Sequence, residues 1–191
     1  MELVFVTNNA HKLEEVRSII GGNVEIKSLA EIGCKEDIAE TGETIEANAS
    51  QKAFYIYDKY GVDCFADDTG LEIEALGGRP GVYSARYAGD DSNFENNLNK
   101  VLEEMQNSMN RKACFRTIIS LIINGKETQF EGRVEGLILW EKHGVAGFGY
   151  DPIFQPQGYQ YSFAEMPADE KNRISHRGVA MRKLLDFLKQ N

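Results

Sequence analysis

Residues 117–123, TIISLII, are β-branched and almost wholly apolar, and they end on Asn124-Gly125 before a second strand-like segment. An Asn-Gly pair tolerates the positive φ angles that a two-residue turn requires, so this stretch specifies two strands joined as an antiparallel hairpin. A run with so few polar positions belongs in the middle of a sheet, where both faces are covered. Whatever else the chain does, it must build a sheet around this pair.

The remaining apolar patterns supply both helices and strands. Residues 3–7 read as a short buried strand, Asn8-Asn9 breaks it, and a helical pattern over 11–20 stops at Gly21-Gly22. A second strand is expected over 24–29. Ile45, Ala49, Ala53, Ile56 and Tyr60 then recur at helical spacing, with Glu43 or Thr44 to start the helix and Gly61 to end it. Residues 64–66 enter a strand that ends in Asp67-Asp68-Thr69-Gly70, and 71–74 alternate as a half-exposed strand would. An ordered glycine-rich loop follows over 77–89. Phe94, Leu98, Val101, Leu102 and Met105 mark another helix, 144–151 is a second glycine-rich loop, and Met181, Leu184, Leu185 and Leu188 line one face of a C-terminal helix. The class is α/β or α+β with a mixed sheet, in preference to a doubly wound parallel one.

A chain of 191 residues, 42% of them apolar, can bury a sizeable core, so a single domain spanning 1–191, of one or two lobes, is expected. No apolar run approaches the length of a membrane span, and the start, Glu2 followed by four apolar residues, does not resemble a signal peptide. A net charge of −9 argues against sequence-independent nucleic-acid binding, which needs a basic face. Any anionic ligand must therefore be met by local cations. Cys34, Cys64 and Cys114 are widely spaced and fit reduced cytosolic thiols. Three scattered histidines give no zinc spacing, and no serine or cysteine lies in a nucleophile elbow.

Four groups of residues can carry chemistry. Thr7, Asn8, Asn9, Ala10, His11 and Lys12 form a strand, turn and helix start whose backbone N–H groups and lysine suit phosphate, although the turn lacks the glycines of a Walker loop. Glu40, Asp67 and Asp68 offer oxygen ligands for Mg²⁺, and the adjacent aspartates must serve different purposes because neighbouring strand residues face opposite ways. Lys52 falls outside the apolar stripe of its helix and would ordinarily be solvated. Phe148, flanked by Gly147 and Gly149 and followed by Tyr150 and Asp151, can present its ring to a planar ligand. Glu170, Lys171, His176 and Arg177 cluster before a helix for which Ser175 is a plausible N-cap, and such a group suits anions or carbonyl oxygens.

In chain order, TNNAHK at 7–12, ETG at 40–42, NASQKA at 48–53, ADDTGLEI at 66–73, GRPGVYSARYAG at 78–89, FGYDP at 148–152 and EKNRISHRG at 170–178 resemble the inosine triphosphate pyrophosphatase family, the non-canonical purine NTP pyrophosphatases. Each segment alone is weak; seven in order over nearly the whole chain are specific. The departure is Thr69, where many bacterial relatives have serine, and the hydroxyl is kept. The resemblance implies an elongated two-lobed α/β fold with a long mixed sheet flanked by helices, a nucleotide cleft between the lobes, dependence on Mg²⁺, and a cytoplasmic homodimer.

It also implies roles. Residues 7–12 and Lys52 would hold the triphosphate, with Thr69 also at the substrate. Glu40 and Asp68 would bind Mg²⁺ directly or through water, and Asp68 would be the general base for water attacking the α-phosphorus. Phe148 would stack on the purine, with Gly149, Tyr150, Asp151, Lys171, His176 and Arg177 around it. ITP, dITP or XTP would become the monophosphate and pyrophosphate. A non-catalytic nucleotide sensor and a phosphatase cutting the terminal phosphate are the alternatives.

Overall fold

In the computed structural model, which describes residues 1–89 and 93–190, the chain divides into two compact units. The first takes Met1–Asp68, Thr117–Gly132 and the chain from Arg177 onward; the second takes Thr69–Arg116 and Arg133–His176. Strands β1 (Glu2–Phe5), β2 (Glu25–Lys27), β3 (Cys64–Ile73), β4 (Pro80–Gly81), β5 (Lys112–Ile123), β6 (Lys126–Ile138) and β7 (Phe154–Pro156) form a sheet of order β2-β1-β3-β5-β6-β7, with β4 on β3. β1 is parallel to β2 and to β3, whereas β4 is antiparallel to β3 and β7 to β6. The sheet is mixed, as the sequence requires. Asn124 (φ 50°) and Gly125 (φ 77°) make the turn between β5 and β6, the expected hairpin.

In the first unit, β1 is buried on both faces. Leu3 and Phe5 pack with Val16 of α1 (Ala10–Ile20) and with Met181 and Leu184 of α5 (His176–Gln190). Val4 and Val6 pack on the opposite side with Ala53 and Ile56 of α2 (Ile45–Tyr60). This explains why 3–6 is continuously apolar rather than alternating. α2 starts where Thr44 caps the Ala47 N–H and stops where Gly61 turns left-handed at φ 63°. Its Ile56 is fully buried, which stabilises by about 1.5–3 kcal/mol relative to exposure.

In the second unit the sheet is apolar on one side. Leu71, Ile73, Ala113, Phe115 and Phe154 join Leu98, Val101 and Met105 of α3 (Phe94–Met105) in one core. Glu72 and Lys112 alternate to the other side, as the half-exposed pattern predicts. Two features differ from the sequence reading. β3 does not end at the aspartates but runs unbroken for ten residues, and Gly70 within it lets β4 approach: a Cβ there would meet the Gly81 carbonyl oxygen at 2.7 Å. A short helix, α4 (Ala168–Ile174), also precedes α5; Ser175, in extended conformation, closes it and stands directly before His176, at the N-cap position expected for α5.

All three cysteines are free and buried. Burial pushes the Cys64 thiol up to about 12 and the Cys114 thiol up to about 11. Both thiols are therefore expected to resist iodoacetamide at pH 8 in the folded protein and to react in urea, as read by intact-mass spectrometry. Full labelling in native buffer would contradict their burial. Among the described residues, no helix is long and apolar enough to cross a membrane.

Candidate active site

Alternation along β3 sorts the two aspartates. Asp67 faces the same side as Phe65, toward α1 and α5; Asp68 faces the side of Ala66, toward α2. Asp67 accepts from Lys12 Nζ at 2.9 Å through Oδ1, and from Arg177 Nε and Nη2 at 3.0 and 2.9 Å through Oδ2. The other arm of the Arg177 guanidinium reaches Glu15 Oε2 at 2.6 Å, one α1 turn beyond Lys12. Burial would push the Asp67 carboxyl up, but Lys12, Arg177 and Lys52 together outweigh it and hold it well below the usual carboxylate range. Asp67 is thus a fixed anion that organises cations.

Asp68 has a different setting. Its Oδ2 accepts from Asn48 Nδ2 at 3.1 Å, and its Oδ1 lies 4.0 Å from Lys52 Nζ. Burial pushes its carboxyl up; Lys52 pulls it down, the Glu40 carboxylate adds to the rise, and the net direction is upward. Lys52 also donates to Glu40 and, at 2.7 Å, to the Asp67 carbonyl oxygen. Its ammonium opposes a burial cost, yet these neighbouring carboxylates keep it firmly protonated.

Lys52 corrects the reading of its helix. It is buried, seven residues after Ile45 and three after Ala49, and so lies on the inward stripe rather than outside it. The apolar pattern hid this because two positions on that stripe, Asn48 and Lys52, are polar.

At the start of α1, Asn9 is the N-cap and accepts from the Lys12 N–H at 3.2 Å, while Thr7 Oγ1 accepts from the Asn9 N–H at 3.1 Å. Two amides of the expected phosphate turn are therefore engaged within the chain. Asn8, Ala10 and His11 remain at the surface of the turn, and Asn8 Nδ2 donates to the Glu36 carbonyl oxygen at 3.2 Å.

The second unit holds the aromatic group. Gly147 and Gly149, at φ 74° and 64°, bracket Phe148, whose N–H donates to Asp151 Oδ2 at 2.9 Å. A side chain at Gly147 would meet that same oxygen at 2.1 Å, so the turn needs glycine. Buried Lys171 pairs with Asp151 Oδ2 at 2.6 Å and places its ammonium 5.1 Å from the Phe148 ring centre. His176 is buried and stacks on Phe115 at 4.5 Å. Tyr150 points into the core and donates its hydroxyl to the Ser84 carbonyl oxygen at 2.7 Å. Thr69, the first residue of this unit, is half-buried.

Of the residues expected around a purine, Phe148, Gly149, Asp151 and Lys171 come together. Arg177 differs: the residue is only 1% exposed, and its guanidinium belongs to the Asp67 and Glu15 cluster of the first unit. One residue separates opposite environments, because His176 and Arg177 open α5 and point about 100° apart around a helix.

The model of the Ham1 family matches residues 3–187. The chain belongs to the Ham1 family. It is 54% identical over 189 residues to the dITP/XTP pyrophosphatase of Flavobacterium psychrophilum, covering 99% of this chain and 100% of that protein. It is 53% identical over 188 residues to the dITP/XTP pyrophosphatase of Christiangramia forsetii, covering 98% and 99%. Among solved structures, a HAM1 protein from Coxiella burnetii superposes with a TM-score of 0.91 at 36% identity, covering 100% of both chains.

Three positions of this Ham1-family chain escaped the sequence reading of the site. Asn48 is fully buried and bridges two parts of it, donating to Asp68 while its Oδ1 accepts from the Gly42 N–H at 2.8 Å. Gly42 itself has no room for a Cβ, which would meet Ala47 Cβ and Asn48 Oδ1 at 2.8 Å. Glu15 completes the Arg177 pairing. Asn48 stands on the helical stripe with Ile45 and Ala49, where a polar side chain was a legible signal; Glu15 had none.

Proposed function

We propose that this chain is a hydrolase that converts ITP, dITP or XTP to the nucleoside monophosphate and pyrophosphate, removing deaminated purine nucleotides from the pool. The observation that carries the reading is the divided aspartate pair. Asp67 is locked among cations, while Asp68 is buried next to Lys52 and Glu40, with burial holding its carboxyl above its ordinary value, the setting of a general base. Asp68 takes a proton from water as the water oxygen bonds to the α-phosphorus. The bond from that phosphorus to the bridging oxygen breaks, and pyrophosphate leaves with the electron pair. Lys52, Lys12 and the turn at 7–12 neutralise the phosphates, with the Thr69 hydroxyl as a further contact.

Glu40 and Asp68 are the residues that would hold Mg²⁺. Among the described residues no cluster of three His, Cys, Asp or Glu is assembled, which argues against an all-protein metal cage. Two carboxylates fit Mg²⁺, which keeps several waters and shares substrate phosphate oxygens. When bound, the ion offsets charge on the phosphates.

For the base, Phe148 supplies the stacking ring, framed by Gly149 and Asp151, and Lys171 and His176 supply donors for a 6-oxo group. Adenine would leave such a donor unpaired at about 1–3 kcal/mol, roughly tenfold to a hundredfold in affinity. The pairing of Arg177 with Asp67 favours a role on the phosphate side for that residue. The same reading has the protein acting in the cytoplasm as a homodimer.

The test is incubation with ITP, ATP and GTP, with and without Mg²⁺, resolving nucleotides and assaying pyrophosphate separately from phosphate. IMP and pyrophosphate, favoured for ITP and lost with EDTA, are expected. IDP and phosphate would indicate a terminal phosphatase, and binding without turnover a sensor.

A further inference from the structure

The helical pattern at 94–105 places Phe94 on the apolar stripe of α3, yet the structure leaves it out of the core. Leu98, Val101 and Met105 are buried, whereas Phe94 is 38% exposed at the first position of the helix. Its ring lies against Phe148, with centroids 5.9 Å apart and planes tilted by 45°. An ion pair between Glu95 and Lys142 makes a second link from the same helical turn to the segment leading into the glycine-rich loop. That pair is solvent-exposed and contributes little; the ring contact is the stronger tie.

The two sides of this contact differ in stiffness. Asn93 caps α3 by accepting from the Asn96 N–H at 2.9 Å, and Arg111 Nη1 grips the far end through the Met105 carbonyl oxygen at 2.7 Å. The loop carrying Phe148 contains Gly144, Gly147 and Gly149, all at positive φ, and residues 144–147 are exposed. The bonds from the Ala146 N–H to the Ala164 carbonyl oxygen at 3.1 Å and from the Phe148 N–H to Asp151 hold the backbone of this loop but not the direction of the ring, so a ring meant to stack on a ligand needs a rigid neighbour. We propose that Phe94 is a positioning residue for the purine site, holding the Phe148 ring in its stacking orientation from the fixed end of α3. This rests on the reading of Phe148 as the stacking ring.

The test compares wild type, Phe148→Ala, Phe94→Ala, Phe94→Tyr and the Phe94→Ala/Phe148→Ala double variant. ITP kinetics are combined with competition by IMP and by tripolyphosphate, which carries no base. Phe94→Ala is expected to raise the KM for ITP and the Ki for IMP by about threefold to tenfold, the equivalent of one aromatic pair, with kcat and the tripolyphosphate Ki within about twofold. Phe94→Tyr should restore wild-type values, and the double variant should be no worse than Phe148→Ala, since coupled residues are not additive. If Phe148→Ala leaves the IMP Ki unchanged, the stacking reading fails and this proposal with it. If Phe148→Ala weakens IMP but Phe94→Ala does not, the proposal alone is overturned. Full additivity, or an equal loss of tripolyphosphate affinity in Phe94→Ala, overturns it as well.

Discussion

Replacing Asp68 by asparagine is expected to lower kcat for ITP by about 10²–10⁴-fold, the range for loss of a general base. Affinity for IMP, measured by calorimetry without added Mg²⁺, should change little, because Lys12 and Lys52 are not removed. Thermal stability should stay at or slightly above wild type. The fold raises the Asp68 carboxyl by burying it, so the charged form is held at a cost, and asparagine keeps the shape without the charge. Wild-type turnover in this variant would remove Asp68 as the base. A large drop in Tm would instead show that its charge supports the fold.

Asp67→Asn should show the converse. Arg177 is almost fully buried, and Lys12 and Arg177 both converge on this carboxylate, so its neutralisation strands buried positive charge. Breaking a buried pair from one side costs about 3–5 kcal/mol, and the retained pairing of Arg177 with Glu15 favours the low end. At about 3 kcal/mol, a chain of this length should lose about 6–12 °C in Tm. Differential scanning calorimetry decides this: a Tm within about 2 °C of wild type would mean that the cluster does not hold the fold. Two neighbouring, chemically identical side chains are thus expected to fail in opposite ways, because alternation along β3 sends one into a compensated ion cluster and the other toward a site.

Much of this was legible in the chain. The Asn-Gly turn after an apolar β-branched run is a short-range signal that fixes its own geometry, and β5 and β6 form as it specifies. Thr44 and Gly61 bound α2 because capping depends only on neighbouring residues. The different fates of Asp67 and Asp68 followed from a strand period of two. Lys52 and Asn48 were obscured because polar residues on a buried stripe read as breaks in it, unless the helical register is followed through them.

Local pattern, then, determined the hairpin, the helix caps, the mixed class of sheet and the divergence of the two aspartates, since each depends on residues close in sequence. Only tertiary structure decided which charges share a partner. Lys12, Asp67 and Arg177 are separated by 55 and 110 residues, and a pairing across such distances exists only once the sheet and its flanking helices bring the side chains together. The same holds for Phe94 and Phe148, whose ring contact depends on how α3 packs, so that a residue that helped mark the helix by periodicity emerged at the edge of the aromatic group.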